Sequence, residues 1–250
     1  MTLSTRSPAI EIGYPDGDGQ PMSESDPTRD YLIYAVSTLD LYFRDRPDVY
    51  VSGNLFIYYK QGLPDAVVSP DAFVIFGVEK KKRRSYKVWE EGGKLPDFVL
   101  EITSKTTQEN DELEKPGKYQ RMGVLEYFQY DPTGDYLQPA LKGSRLVDGE
   151  YQPIPRNQWP EGTVVLYSES LELELRLLPG GELRFYDPQT GQRLMDHAET
   201  DRARREAEQA RREAEQARLD AVPRLLEMGL SVEQVATALG LTVQGIEEGR

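Results

Sequence analysis

The stretch Pro96-Asp97-Phe98-Val99-Leu100-Glu101-Ile102-Thr103-Ser104 decides the fold. Its apolar run, bounded by a proline and a serine, predicts a buried strand. Alternate side chains of an extended strand share a face, so Asp97, Val99, Glu101 and Thr103 point one way. Two carboxylates on one face of an otherwise apolar strand are costly to bury unless something pairs them. A metal ion or a lysine would do so. The plainer alternative puts Asp97 at the strand mouth and pairs Glu101 with a core arginine.

Working outward, residues 66–76 read as a second buried strand that contains Ser69-Pro70-Asp71. Val49-Tyr50-Val51 and Leu55-Phe56-Ile57-Tyr58-Tyr59 are β-branched and aromatic runs split by Ser52-Gly53-Asn54, which predicts strands with a turn or bulge. Ahead of them, Asp26-Pro27-Thr28 opens a helix with apolar residues at Leu32, Ile33, Val36, Leu39, Leu41 and Tyr42. Downstream, residues 111–122 predict a helix and residues 126–131 a further strand, with short strands at 164–166, 171–176 and 183–186. Strand and helix signals alternate. The expected fold class is therefore α/β (α+β), a mixed central sheet flanked by helices over residues 22–187, behind a loosely ordered arm at 1–21.

Composition narrows the chemistry. The 250 residues are 38% hydrophobic and 29% charged, enough for one sizeable domain plus appendages. Cysteine is absent, which excludes disulfides, thiolate nucleophiles and cysteine zinc sites. The single histidine, His197, lies in a polar stretch before a charged helix, so a Ser-His-Asp triad or a histidine metal site is excluded too. What remains is carboxylates, lysines, hydroxyls and an oxygen-preferring ion, Mg²⁺ or Mn²⁺. A net charge of −13 argues against broad non-specific affinity for nucleic acid, yet permits a local site screened by metal. No apolar run is long enough to span a bilayer, and the first 21 residues lack a signal-peptide pattern. The expected location is cytoplasmic, with no membrane partner.

Asp111, Lys115 and Tyr119 are spaced by four, so they lie near one helical face. Phosphodiester hydrolysis needs a metal to hold the scissile phosphate and activate water, plus a cation for the developing charge. Asp71, Glu101 and Lys115 meet those needs as residue types. At such loose spacing they are a weak signal, since exposed Asp–Lys pairs are common on helix surfaces. Lys80-Lys81-Lys82-Arg83-Arg84, followed by Tyr86 and Trp89, reads in one of two ways. It is either a solvated loop or a phosphate-contacting finger with Tyr86 or Trp89 stacking on bases.

Taken in order, Pro70-Asp71, Pro96-Asp97 running into Glu101, Ser104, Thr107, Asp111, Lys115 and Tyr119, then Gly123-Val124 and Glu126-Tyr127 form a pattern. That pattern resembles the Uma2-type (DUF820) family of restriction-endonuclease-like proteins, abundant in cyanobacteria and part of the PD-(D/E)XK nuclease superfamily. The resemblance covers residues 22–180. It implies a metal-dependent endonuclease with DNA as substrate, Asp71 as the first metal carboxylate and Glu101 as the second. The usual lysine of the motif would fall at Thr103, and Lys115 replaces it from the following helix. Asp97, Ser104, Asp111 and Tyr119 match as supporting residues. One departure stands out: Pro116-Gly117 directly follow Lys115. Either the helix begins near Lys115, or the lysine is displaced and catalysis is impaired. The alternative function is a catalytically silent nuclease fold that binds or regulates through its helical tail.

That tail begins beyond Asp187. Residues 203–209 and 210–216 are identical repeats, and Ala203, Ala207, Ala210, Ala214, Ala217 and Ala221 recur at spacings of four and three. The expectation is a charged alanine-heptad helix over 188–221, read either as a coiled coil pairing two subunits or as one exposed helix. Residues 222–250 predict a small helix-turn-helix-like cap, with Ser231 and Gln234 as a capping box and Gly240 as a stop. Its few cations favour packing or partner binding over reading DNA.

Overall fold

A computed structural model describes residues 13–15, 25–104 and 114–248. The chain divides into two compact units, Met1–Asp196 and His197–Arg250.

In the first unit, helix α1 (Asp26–Tyr42) starts at Ser25, whose side chain accepts the Thr28 N–H, with a proline in the first turn. Strands β1 (Val49–Ser52), β2 (Ile57–Tyr58), β3 (Val67–Val68), β4 (Ala72–Phe76), β5 (Tyr86–Lys87) and β6 (Phe98–Ile102) follow. Helix α2 (Lys115–Met122) then leads into β7 (Glu126–Tyr130), β8 (Leu141–Val147) and β9 (Glu150–Pro153). Last come β10 (Asn157–Gln158), β11 (Val164–Ser168), β12 (Leu173–Leu177) and β13 (Leu183–Tyr186).

The central sheet has six strands in the order β1-β4-β6-β7-β8-β9. Its neighbours run antiparallel except β6 and β7, whose parallel pairing is what the intervening α2 crossover permits. Strand β6 is buried on both faces, as its apolar run predicts. One face presents Phe98, Leu100, Phe128 and Leu141 to α1 and to the second sheet, β10-β11-β12-β13, through Leu39, Leu166 and Leu175. The other presents Phe73, Val99 and Tyr127 to Tyr119 of α2 and to the small β3-β2-β5 sheet. Burying each such side chain is worth about 1.5–3 kcal/mol, and slipping β6 by one residue would exchange its two buried faces and drive Glu101 into the apolar core beneath α1. The mixed α+β class expected from sequence is the class observed.

Three readings need correction. Residues 66–76 are two strands, β3 and β4, and Ser69-Pro70-Asp71 is the break between them. Pro70 has no N–H for a ladder, and its carbonyl instead accepts the Asn54 N–H at 2.9 Å. In the run 55–59 only Ile57 and Tyr58 pair as a strand. Strands β8 and β9 complete the central sheet and β10 edges the second, yet none was expected, because their burial is patchy and half-exposed.

In the second unit, α3 (His197–Glu227) runs continuously through Pro223. Helices α4 (Val232–Leu239) and α5 (Val243–Glu248) follow, with the Ser231–Gln234 capping box formed and Gly240 left-handed at the stop. Val222, Val235, Ala236 and Ile246 make their own small core. Residues 201–220 are all exposed, and with them the alanine stripe from Ala203 to Ala217. Among the described residues, no helix is long and apolar enough to cross a membrane.

Candidate active site

The βαβ crossover places the site. Ala72 faces Leu100 and Phe73 faces Val99 across the antiparallel β4–β6 pair. Continuing that register by one residue sets Asp71 opposite Glu101, and opposite residues in an antiparallel pair share a face. The Ile102 N–H donates to Asp71 Oδ2 at 2.7 Å, tying the first acid to the strand that carries the second. Gly53 makes this possible. A Cβ on it would lie 2.1 Å from the Asp71 carbonyl oxygen and 2.7 Å from Val36, so only glycine lets the turn after β1 come this close.

Glu101 has no exposed surface. The Tyr119 hydroxyl donates to its Oε1 at 2.6 Å, and Lys115 Nζ lies 2.9 Å from its Oε2. Burial, then the charge of Glu101, holds the Tyr119 hydroxyl well above the ordinary phenol range, so it stays protonated and donates. Lys115 and Tyr119 are one helical turn apart and reach the same carboxylate. The proline beside Lys115 does no harm, because α2 begins at Lys115 and a proline in the first turn costs no helical hydrogen bond. Of the two alternatives for Pro116, the first is the one observed.

Other predicted site residues are placed differently. Asp97 lies four residues from Glu101 along β6, about 13 Å at strand rise. Its Oδ2 accepts the Phe76 N–H at 2.7 Å, and burial pushes its carboxyl above the usual range. Asp97 thus fastens the far end of the β4–β6 pair and stands apart from the acid pair. Ser104 follows the end of β6, half-buried. Asp111 and Thr107 lie outside the described residues. Thr103, at the position of the motif's lysine, is buried on the face of Glu101, and its hydroxyl has no hydrogen-bond partner. Among the described residues, no three acids or imidazoles gather as a ready metal cage.

The basic run sits elsewhere. It follows the end of β4 opposite to Asp71, about 20 Å along the strand from the acid pair. Lys80 pairs with Asp40 at 2.9 Å, and Lys81 with Glu79 at 3.0 Å. Arg83 is nearly buried, donates to both oxygens of Glu91 at 2.9 and 3.0 Å, and stacks 4.2 Å over the Tyr50 ring. Tyr86 is fully buried and donates to the Lys94 carbonyl, so it has no face for a base. Trp89 is half-buried against Tyr14, ring centres 5.0 Å apart. Lys82 and Arg84 are exposed. The run is mostly a structural loop whose cations are committed to local acids and rings.

A cleft of about 390 Å³ opens beside the acid pair, between β3 and the start of α2, where Val67, Ser69, Lys115, Lys118 and Tyr119 line it. A mixed sheet with an acid pair at the carboxyl end of a parallel strand, answered by a helix-borne lysine, is the class of arrangement present. The chain belongs to the Uma2 family, whose model, described as "Putative restriction endonuclease", matches residues 2–178. No curated protein matches the chain. Among solved structures, one described as a "putative nuclease belonging to DUF820" from Anabaena variabilis is similar at 13% identity and a TM-score of 0.43. That similarity covers 60% of this chain and 76% of the other.

Proposed function

We propose that this protein is a metal-dependent DNA endonuclease that hydrolyses phosphodiester bonds at Asp71, Glu101 and Lys115. One observation carries the reading: Glu101, wholly buried, meets Lys115 at 2.9 Å directly across the ladder from Asp71. The family membership supports the nuclease class. The donor chemistry fits a hard divalent ion, for two carboxylates share a face and a buried hydroxyl at Thr103 lacks a partner. Asp71 and Glu101 would hold Mg²⁺ or Mn²⁺, which when bound supplies Lewis acidity toward a phosphate oxygen and the attacking water. Lys115 faces the negative charge that grows on the phosphate in the transition state. Tyr119 fixes the rotamer of Glu101, and Ser104 borders the site. Asp97 contributes by holding the strands in register.

A silent binding module is the second reading, and one feature favours it. Both oxygens of Glu101 already hold protein donors and the carboxylate has no exposed surface. An ion would therefore have to enter past Lys115, the partly exposed side chain beside the carboxylate. Thermal melts with Mn²⁺ decide between the two. At an ion concentration 100 times the dissociation constant, binding to the native state adds about 2.7 kcal/mol, a clear rise in melting temperature. Glu101→Gln is expected to lose that rise, and an undiminished rise in the variant would put the ion elsewhere. Supercoiled plasmid, nicked with Mn²⁺ or Mg²⁺ and intact in EDTA, is the direct test of activity.

Two further parts belong to this proposal. A cysteine-free chain suits a reducing cytoplasm. Pairing of two subunits along α3 would cover the exposed alanine stripe. Light scattering is expected to give twice the chain mass for the full protein and one chain mass for a truncation ending at Asp187. Equal oligomeric states would remove α3 from assembly.

A further inference from the structure

The cleft between β3 and the start of α2 carries more than the three reactive residues require. Two of its wall residues, Lys115 and Tyr119, are the donors that hold Glu101, so it opens against the acid pair itself. Ser69, two residues before Asp71, lines it as well. Its volume of about 390 Å³ lies at the small end of the roughly 300–1,000 Å³ span of small-molecule sites. That is room for one nucleotide unit and not for a double helix.

Two further side chains set its chemistry. Phe56, just before β2, is half-buried, belongs to neither hydrophobic core of this unit, and lines the cleft. Tyr58 meets its ring nearly at right angles, with centres 6.2 Å apart. A partly open phenyl ring outside the core is a surface for another flat ring. Lys118 is three residues on from Lys115 and shares its helical face. Among the described residues its amine reaches only the Val67 carbonyl, at 3.5 Å the outer limit of a hydrogen bond. With Glu114 as the acid of the lining, two lysines leave the cleft locally basic in a chain with 43 acidic and 30 basic side chains. Glu101 presents no surface. A paired duplex is stiff on the scale of this cleft and stays outside it, whereas an unpaired nucleotide can enter.

We propose that this cleft is a subsite for one unpaired nucleotide, with its base against Phe56 and its phosphate at Lys118. The substrate class is then DNA that is unpaired at the cut: a single strand, a flap or a frayed end. Every base has a π-face, so stacking selects unpaired structure without selecting sequence. Lys118 is a positioning residue, which takes the phosphate next to the scissile one and leaves Lys115 to the reacting charge. The proposal rests on the nuclease reading above and narrows its substrate. It agrees with supercoiled plasmid as a substrate, because negative supercoiling favours opened strands.

The test is binding of a short fluorescein-labelled oligothymidine to the full chain in EDTA, by anisotropy over a range of NaCl. The same strand annealed to its complement is the second ligand. The single strand is expected to bind more tightly than the duplex. Thymidine 3′,5′-bisphosphate, one nucleotide with a phosphate on each side, should displace it. Phe56→Leu keeps the apolar bulk without the π-face and should weaken single-strand binding about 5-fold or more, while Phe56→Trp should restore it. Lys118→Met should reduce the salt slope by about 0.7, roughly a 5-fold loss of affinity at 0.1 M salt, and Lys118→Arg should recover it. Lys118 packs in no core, so its variants carry the test should Phe56→Leu fail to fold. Wild-type binding in both Phe56→Leu and Lys118→Met would overturn the subsite and leave the nuclease reading standing, as would a duplex bound as tightly as the single strand. Failure of the wild-type chain to bind either form of DNA would overturn both.

Discussion

Lys115→Met is expected to cut nicking on the order of 10²-fold or more, the usual cost of removing a preorganised charge from a transition state. The same change will also weaken the fold, because it leaves Glu101 buried without its cation. Breaking one partner of a buried pair typically costs about 3–5 kcal/mol. Lys115 keeps 20% side-chain exposure, so the lower end of that range applies. Lost activity in the single variant could thus be read as lost protein. The double variant Glu101→Gln with Lys115→Met separates the two effects. An amide in place of the carboxylate is no longer an unpaired buried charge, and it still accepts from Tyr119. Urea midpoints should recover toward wild type while nicking stays at background. Recovery of nicking together with stability would show that Lys115 serves only the fold. A folded Lys115→Met protein that cuts at the wild-type rate would dismiss Lys115 from the chemistry altogether.

How much of this could be read from the chain alone depends on the range of the contacts. Strand β6 was legible because its own residues are sufficient: an apolar run too uniform to lie on a surface, broken by one acid. The start of α1 was legible for the same reason, with Asp26 and Pro27 in its first turn, although the capping side chain is Ser25, one residue before the opening read from sequence. The break at Ser69-Pro70-Asp71 was not, since it depends on Asn54 and Gly53 docking from the turn after β1. Nor was Gln129 visible as the neighbour of Glu101 in the parallel β6–β7 pair, because strand register is set by packing across the sheet rather than by spacing along it. The basic run was legible only in part, since Lys81, Lys82 and Arg84 are exposed as a solvated loop requires. Consecutive cations look solvated, yet Lys80 finds Asp40 forty residues earlier, and Arg83 finds the Tyr50 ring. Lys115 came from the family pattern. Its helical spacing to Tyr119 then let the structure show why both reach one carboxylate.

A second buried glutamate supplies the control for the first. Glu126 begins β7, at the opposite end of the sheet from Glu101, and is just as buried. Its Oε1 accepts from Arg145 Nε at 2.9 Å and from the Glu169 N–H at 2.9 Å. Its Oε2 accepts from the Ser168 hydroxyl and from the Ser170 N–H at 3.2 Å. A carboxylate offers about four lone-pair sites, so four protein donors leave nothing for a ligand. Among the described residues, Glu101 receives only one donor on each oxygen, and a partnerless threonine hydroxyl shares its face. Burial alone does not mark a reactive acid; unfilled coordination does. Glu126→Ala should therefore lower stability by about 3–5 kcal/mol in urea, since it leaves the Ser168 hydroxyl and two backbone N–H groups without their acceptor, at about 1–3 kcal/mol each, while Arg145 keeps Glu169 and the Tyr167 carbonyl. Glu126→Gln should cost less, because its amide oxygen still accepts. In either variant, the fraction that remains folded should keep the wild-type Mn²⁺ melting shift and nicking rate. Glu101→Gln should do the reverse, with a small stability change and no shift. A wild-type urea midpoint in Glu126→Ala would mean that the four donors are satisfied equally well by water. A lost Mn²⁺ shift in folded Glu126→Gln would instead move the metal reading away from Asp71 and Glu101.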